Sequence, residues 1–162
     1  MRKLVIYYSL EGHVKQLAEA LAAEIGADIV RVQPKDDIPA TGFSRYLKGG
    51  RQVIKKIEPE IYPLSLDLGE YDLLFIGSPV WAGGYAPALR TLFAQTKLNG
   101  KKAALFVSHR GAAGTSLQQM ADSLKGNEIV GQVDFNDKKH DSNLAEIRQW
   151  GKDIASRLDS ET

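Results

Sequence analysis

Apolar residues run along this chain in two alternating rhythms. Leu4, Val5, Ile6, Tyr7 and Tyr8 form an unbroken run, the pattern of a strand covered on both faces. Val14, Leu17, Ala18, Leu21, Ala22 and Ile25 then recur at helical spacing, and Gly26 supplies a C-terminal stop. Asp28–Val32 alternates as a half-exposed strand ended by Pro34. Between Lys35 and Leu66 a second helical pattern appears in Phe43, Tyr46, Leu47, Gly50, Val53, Ile54 and Ile57. Gly49-Gly50 inside it costs on the order of 1 kcal/mol per glycine relative to alanine, so close backbone packing or a kink is expected there. Tyr71–Gly77 and Ala103–Val107 are further buried strands, with a helix opened by Pro87 between them. Ser116 and Gln119 form an S-x-x-Q capping pattern for a helix to Leu124. An alternating strand over Glu128–Phe135 follows. Leu144, Ile147, Gly151, Ile154 and Leu158 then give a closing amphipathic helix, with Trp150 beside its seam.

Strand and helix thus alternate about five times, without internal repeat or linker composition. That order predicts an α/β fold over residues 1–162 as a single domain, a doubly wound parallel sheet with helices on both faces. Ligands of such sheets bind beyond the carboxyl ends of the strands. The glycine-containing segments at those ends are Ser9–His13, Ser78–Tyr85 and Ser108–Gly114.

Composition narrows the chemistry. The 162 residues contain no Cys, which excludes disulfides, thiolate catalysis and Cys-ligated clusters. The three His residues stand in no metal-ligand spacing, and His140 and Trp150 read as structural. A formal net charge of +1 gives no electrostatic case for nucleic acid or an anionic membrane. The start of the chain turns polar too soon for a secretory signal, and no segment is long enough to span a bilayer, so a cytoplasmic location is expected.

Each candidate segment has a functional and a structural reading. Ser9-Leu10-Glu11-Gly12-His13-Val14 joins a buried strand to a helix, where unpaired N–H groups and the helix dipole suit a phosphate; it is equally a turn with a capping serine. Trp81, between Pro79-Val80 and Ala82-Gly83-Gly84, is placed to stack on a planar ligand or to seal the sheet end. His109 and Arg110 read as surface loop residues. Arg45, Lys48, Arg51 and Lys55 form a basic stripe, either a solvated helix face or a docking surface for an acidic partner or a nicotinamide phosphate.

With YYSLEGH and GSPVWAG in place, the chain resembles the flavodoxin-like family over nearly its whole length. The resemblance implies a five-stranded parallel sheet of order 2-1-3-4-5 with FMN at the point where the winding reverses. It further implies that Ser9, Leu10, Glu11, Gly12, His13 and Val14 wrap the FMN phosphate. Ser78, Pro79, Val80, Trp81, Ala82, Gly83 and Gly84 would follow the flavin ring, and Ser108, His109, Arg110, Gly111 and Gly114 would form the opposite wall, where positive charge on His109 and Arg110 facing the pyrimidine end would stabilise the anionic reduced flavin. Family phosphate loops commonly read S/T-x-T-G-x-T; here Glu11 and Val14 stand in place of two hydroxyls. A carboxylate turned inward would repel a phosphate, and His13 could compensate as donor or cation.

Three functions follow from that resemblance. The first is an FMN-bound electron carrier working with a redox partner protein. The second is an FMN-dependent reductase using NAD(P)H and a small acceptor such as a quinone, which the near-neutral charge favours. The third is a relative that has lost FMN and redox activity. Other α/β families fail on residues: Tyr8-Ser9 and Gly77-Ser78 lack the acids of a phosphoacceptor receiver, and neither a Walker Lys-Ser/Thr nor a G-x-G-x-x-G occurs.

Overall fold

The computed structural model describes residues 1–37 and 44–162; Phe43 and the side chains of Arg45, Tyr46, Leu47 and Ile54 lie outside the described part. Strand β1 (Lys3–Tyr7) leads into helix α1 (His13–Ile25), and β2 (Asp28–Arg31) follows. Helix α2 (Ser44–Ile54) precedes β3 (Leu73–Trp81), which folds back through the short β4 (Gly84–Tyr85). Helix α3 (Pro87–Thr96), β5 (Lys102–His109), α4 (Ser116–Ser123), β6 (Glu128–Asn136) and α5 (His140–Ser160) complete the order.

The sheet runs β2-β1-β3-β5-β6, with every neighbouring pair parallel and β4 antiparallel to β3. Without the β4 hairpin arm this is the order 2-1-3-4-5. Side chains alternate across the central strands. Leu4, Ile6, Leu74, Ile76 and Leu105 pack with Leu89 and Leu92 of α3 and Met120 of α4. Val5, Phe75 and Phe106 face the other way, against Leu17 and Leu21 of α1 and Ile147 and Ile154 of α5. Trp150 closes that second layer edge-on to Phe75 and Phe106, so its structural reading stands.

Local chemistry sets the element ends. Gly26 ends α1 in the left-handed region at φ 63°, and Pro87 occupies the first turn of α3. The expected S-x-x-Q capping box does not form, and the N-cap is one residue earlier, without a side-chain cap hydrogen bond. Thr115 is the N-cap of α4, and Gln119 Nε2 donates to its hydroxyl at 2.7 Å. Ser116 is already helical, and its Oγ donates to the Ala113 carbonyl at 2.6 Å. Thr115 takes the cap because its backbone N–H is held by the Gly83 carbonyl at 3.1 Å, a tertiary contact that local pattern does not encode.

Strands β3 and β5 run further than their apolar cores suggest. Ser78–Trp81 and Ser108–His109 are paired strand, with Pro79 opposite Ser108. At the outer edge, the β5–β6 register shifts between Ala103 and Ala104, leaving Val130 as an extra residue. Arg157 of α5 donates to the Val130 carbonyl there at 2.6 Å. At the centre of the sheet the tip of the Phe106 ring packs against Gly77, where an added Cβ would fall 2.2 Å from Cζ. Gly77→Ala should therefore destabilise the fold by about 1–3 kcal/mol, read as a lowered denaturant midpoint with an unchanged m-value.

Candidate functional site

The carboxyl ends of β1, β3 and β5 open into one cleft of about 450 Å³, within the range of small-molecule sites. Its walls come from three strand ends and one helix. Ser9, Leu10, Glu11, His13 and Val14 form the first side, Pro79–Ala82 the second, and Ser108–Arg110 the third. The fourth side is Gly49 and Gly50 of α2. Helix α2 is unbroken at these glycines, and a Cβ on Gly50 would sit 3.9 Å from that of Ala82. The helix is therefore not kinked there, and the glycines lie on the cleft wall, Gly50 with ordinary contact distance to Ala82.

The loop after β1 is held from within. Gly12, at φ 104°, donates its N–H to Ser9 Oγ at 3.1 Å, and Arg31 donates to the Ser9 carbonyl at 2.8 Å. Among the described residues no side chain caps α1, so the N–H groups of its first turn have no side-chain cap there. With His13 and Val14 on the cleft wall, this is the positive end of a helix dipole set beside the cleft. Ser9 spends its hydroxyl on the turn, as a capping serine would.

Charge at this end is balanced across loops. Glu11 forms an ion pair with Arg110 of the loop after β5. His13 Nε2 lies 3.9 Å from Glu11 Oε2 and 3.9 Å from Asp137 Oδ2. Asp137 in turn accepts from Ser108 Oγ. Asp137, like Gly49 and Gly50, is a wall residue that the sequence does not place at the site. It follows the end of β6 on the same rim, which is the signal that could have found it.

The Trp81 side is built on aromatic contact. Trp81 packs edge-on against Tyr8, with ring centroids 5.4 Å apart and planes at 89°. Tyr8 is fully buried and donates to Asp37 Oδ1 at 2.7 Å. Burial pushes the Tyr8 phenol well above its ordinary value, and the bond to Asp37 adds to this. Beyond Trp81 the chain reverses in two residues, Ala82 at φ 48° and Gly83 at φ 75°, both positive as a primed hairpin turn requires.

Other sequence-singled residues stand behind the walls. Ser78 is buried and accepts from the Ala86 N–H at 2.8 Å, fixing the far end of the hairpin. Gly84 lies beneath Val53 of α2, whose Cγ1 is 2.7 Å from where a Cβ would be. Gly114 crosses Gly83 so closely that a Cβ would come within 2.8 Å of its backbone. Gly12 and Gly111 meet nothing nearby with an added Cβ. His109 departs from its surface reading. It is 7% exposed at the end of β5, with Nε2 2.7 Å from Asp134 Oδ2. Arg110 is exposed as expected. Of the basic stripe, Lys48 lies 3.8 Å from Asp36 while Arg51 and Lys55 are exposed.

A family model described as Flavodoxin matches residues 2–150. Among solved structures, a flavoprotein from Lactobacillus acidophilus NCFM in complex with FMN is 27% identical, with TM-score 0.73 over 90% of this chain and 97% of that one. A WrbA-like flavodoxin from Agrobacterium tumefaciens shares the fold at 16% identity, with TM-score 0.72 over 99% of each chain. Two-electron reduced flavodoxin from Megasphaera elsdenii does so at 19% identity and TM-score 0.59, over 95% of this chain and 98% of that one.

Two outcomes are expected of the scaffold. Gly114→Ala must adopt φ 58° and displace Gly83, so it should cost about 1–3 kcal/mol in denaturant unfolding. For Tyr8, the unfolded chain ionises above about pH 10 while the folded chain keeps the proton. Its contribution is complete below that pH and declines as pH rises, by up to about 1.4 kcal/mol per unit. Alkaline thermal melts of Tyr8→Phe should therefore fall less steeply than those of the wild type.

Proposed function

Because the chain belongs to the flavodoxin family, we propose that it holds FMN in this cleft and transfers electrons through it. The observation that carries the reading is the meeting of three strand-end segments around a single cleft with an uncapped helix terminus at one end and Trp81 at the other. FMN is the cofactor the family binds, and it supplies one- or two-electron chemistry when bound.

The residues present fit that group. First-turn N–H groups of α1 offer donors to a phosphate, and the Glu11 carboxylate is already engaged by Arg110. Engaged in this way, Glu11 adds little net repulsion to the phosphate end. Leu10, Val14, Val80, Trp81 and Ala82 supply an apolar slot for a flat ring system. Trp81 is held upright by Tyr8, so its indole keeps one orientation in the slot.

For the partner, the exposed Arg51 on α2 and Lys55 just after its end support an anionic one, since Gly49 and Gly50 of the same helix line the cleft. An acidic redox protein and the phosphates of NAD(P)H both meet that description, the second paired with a small acceptor.

Calorimetry should find one FMN per chain, and the bound flavin should lose fluorescence. Trp81→Ala should weaken FMN by roughly tenfold and restore part of that fluorescence. Absence of FMN uptake by the wild-type chain would overturn the reading. Rapid NAD(P)H oxidation on adding a quinone would favour the reductase form over the carrier.

A further inference from the structure

Three walls of the cleft grow from strand ends, and the ladders between β1, β3 and β5 fix their spacing. The fourth, Gly49-Gly50, belongs to a helix outside those ladders. Its distance from the other three is set by what α2 packs against. Val53 follows Gly50 by three residues and Gly49 by four, so all three share one face of the helix. Among the described side chains of α2, Val53 is the buried one, at 8% exposed.

Val53 occupies a notch that a missing side chain leaves open. A Cβ added to Gly84 would fall 2.7 Å from Val53 Cγ1 and 3.0 Å from Gln119 Oε1 of α4. The second neighbour is the end of a flexible side chain and can give way. The first is a branched side chain with little freedom, and it sits where it does because Gly84 has no Cβ. Gly84 pairs with Trp81 across the β3–β4 hairpin. The notch and the indole on the cleft wall are thus parts of one two-stranded unit.

The end of α2 that carries Val53 is also tied down by its backbone. Lys56 turns left-handed at φ 52° and donates its N–H to the Val53 carbonyl at 3.1 Å. The Ile57 N–H donates to the Gln52 carbonyl at 2.9 Å, which completes a Schellman stop. Two residues on, the Pro59 carbonyl accepts from Thr91 Oγ1 of α3 at 2.6 Å. With this end anchored, the glycine pair lies about one turn away along the same face. The nearest approach of Gly50 to the hairpin, 3.9 Å from an added Cβ to that of Ala82, leaves slack that the Val53 contact does not.

We propose that Val53 is a positioning residue for the ligand of the cleft. From the Gly84 notch it holds the Gly49-Gly50 wall at a fixed distance from the hairpin that carries Trp81, and this slows the escape of bound FMN. Val53 stands off the cleft wall and acts through the glycines. The proposal rests on the FMN reading above and adds to it the contact that sets the lifetime of the complex.

The test follows FMN release from the reconstituted chain on dilution, read as the rise in flavin fluorescence. Val53→Ala should release FMN about tenfold faster than the wild type. Ile154→Val, which thins the core on the opposite face of the sheet, should lower the denaturant midpoint yet leave release within about twofold. Gly84→Ala fills the notch from the other side and should speed release by a similar factor to Val53→Ala. In the double variant the new methyl no longer meets Val53 Cγ1, so release should be slower than in either single variant and within about threefold of the wild type. Should Gly84→Ala fail to fold, hydrogen exchange decides: in FMN-loaded Val53→Ala the Gly49 and Gly50 amides should exchange about tenfold faster. Wild-type release from Val53→Ala despite a lowered midpoint, wild-type amide protection, or a double variant faster than both singles would overturn the proposal while leaving FMN binding intact. Failure of the wild-type chain to bind FMN would overturn both readings.

Discussion

The constraint on which this molecule depends is that parallel strands buried on both faces must all end at the same rim. Helices on each side cover β1, β3 and β5, so no side chain of those strands can reach solvent except at their ends. Right-handed crossovers then return the chain beneath the sheet, and the connections at the carboxyl ends are left as the free ones. The cleft results from this geometry more than from any single residue. What the residues decide is how far each strand runs before it releases the chain. Pairing of Pro79 with Ser108 and of His109 with Asn136 carries β3 and β5 to the cleft floor.

Much of this was legible in the sequence. Strands with unbroken apolar runs and helices with caps and glycine stops announced themselves, and the winding order follows the family resemblance. Less legible were the features set by tertiary contact. Ser78–Tyr85 reads as a loop because Pro79 and the glycines are poor strand formers, yet its backbone groups find partners on β4 and β5. The α4 cap moved to Thr115 because Gly83 holds that residue. His109 looked exposed between polar neighbours, but the strand continues through it and its side chain turns to Asp134. Asp137 was overlooked because nothing in its own neighbourhood marks it; only the end of β6 brings it to the rim.

The same contrast runs through the electrostatics. Read alone, Glu11 is a carboxylate in a phosphate-type loop and argues against an anion. In the fold it is partnered by Arg110, a residue 99 positions away in sequence. The ion pair spans from the loop after β1 to the loop after β5 and ties two walls of the cleft together. A charge that seemed to weaken the site thus also braces its mouth. Tyr8 does comparable work on the other side, burying its ring behind Trp81 while its hydroxyl reaches Asp37.

The outer strand β6 carries a different consequence. Its ladder is broken at Val130, and the carbonyl of that residue is already taken by Arg157. An edge interrupted in this way presents no continuous row of donors and acceptors to a foreign strand. The border of β6 can therefore stay open to water while the row of backbone groups that a foreign strand would pair with is interrupted at Val130.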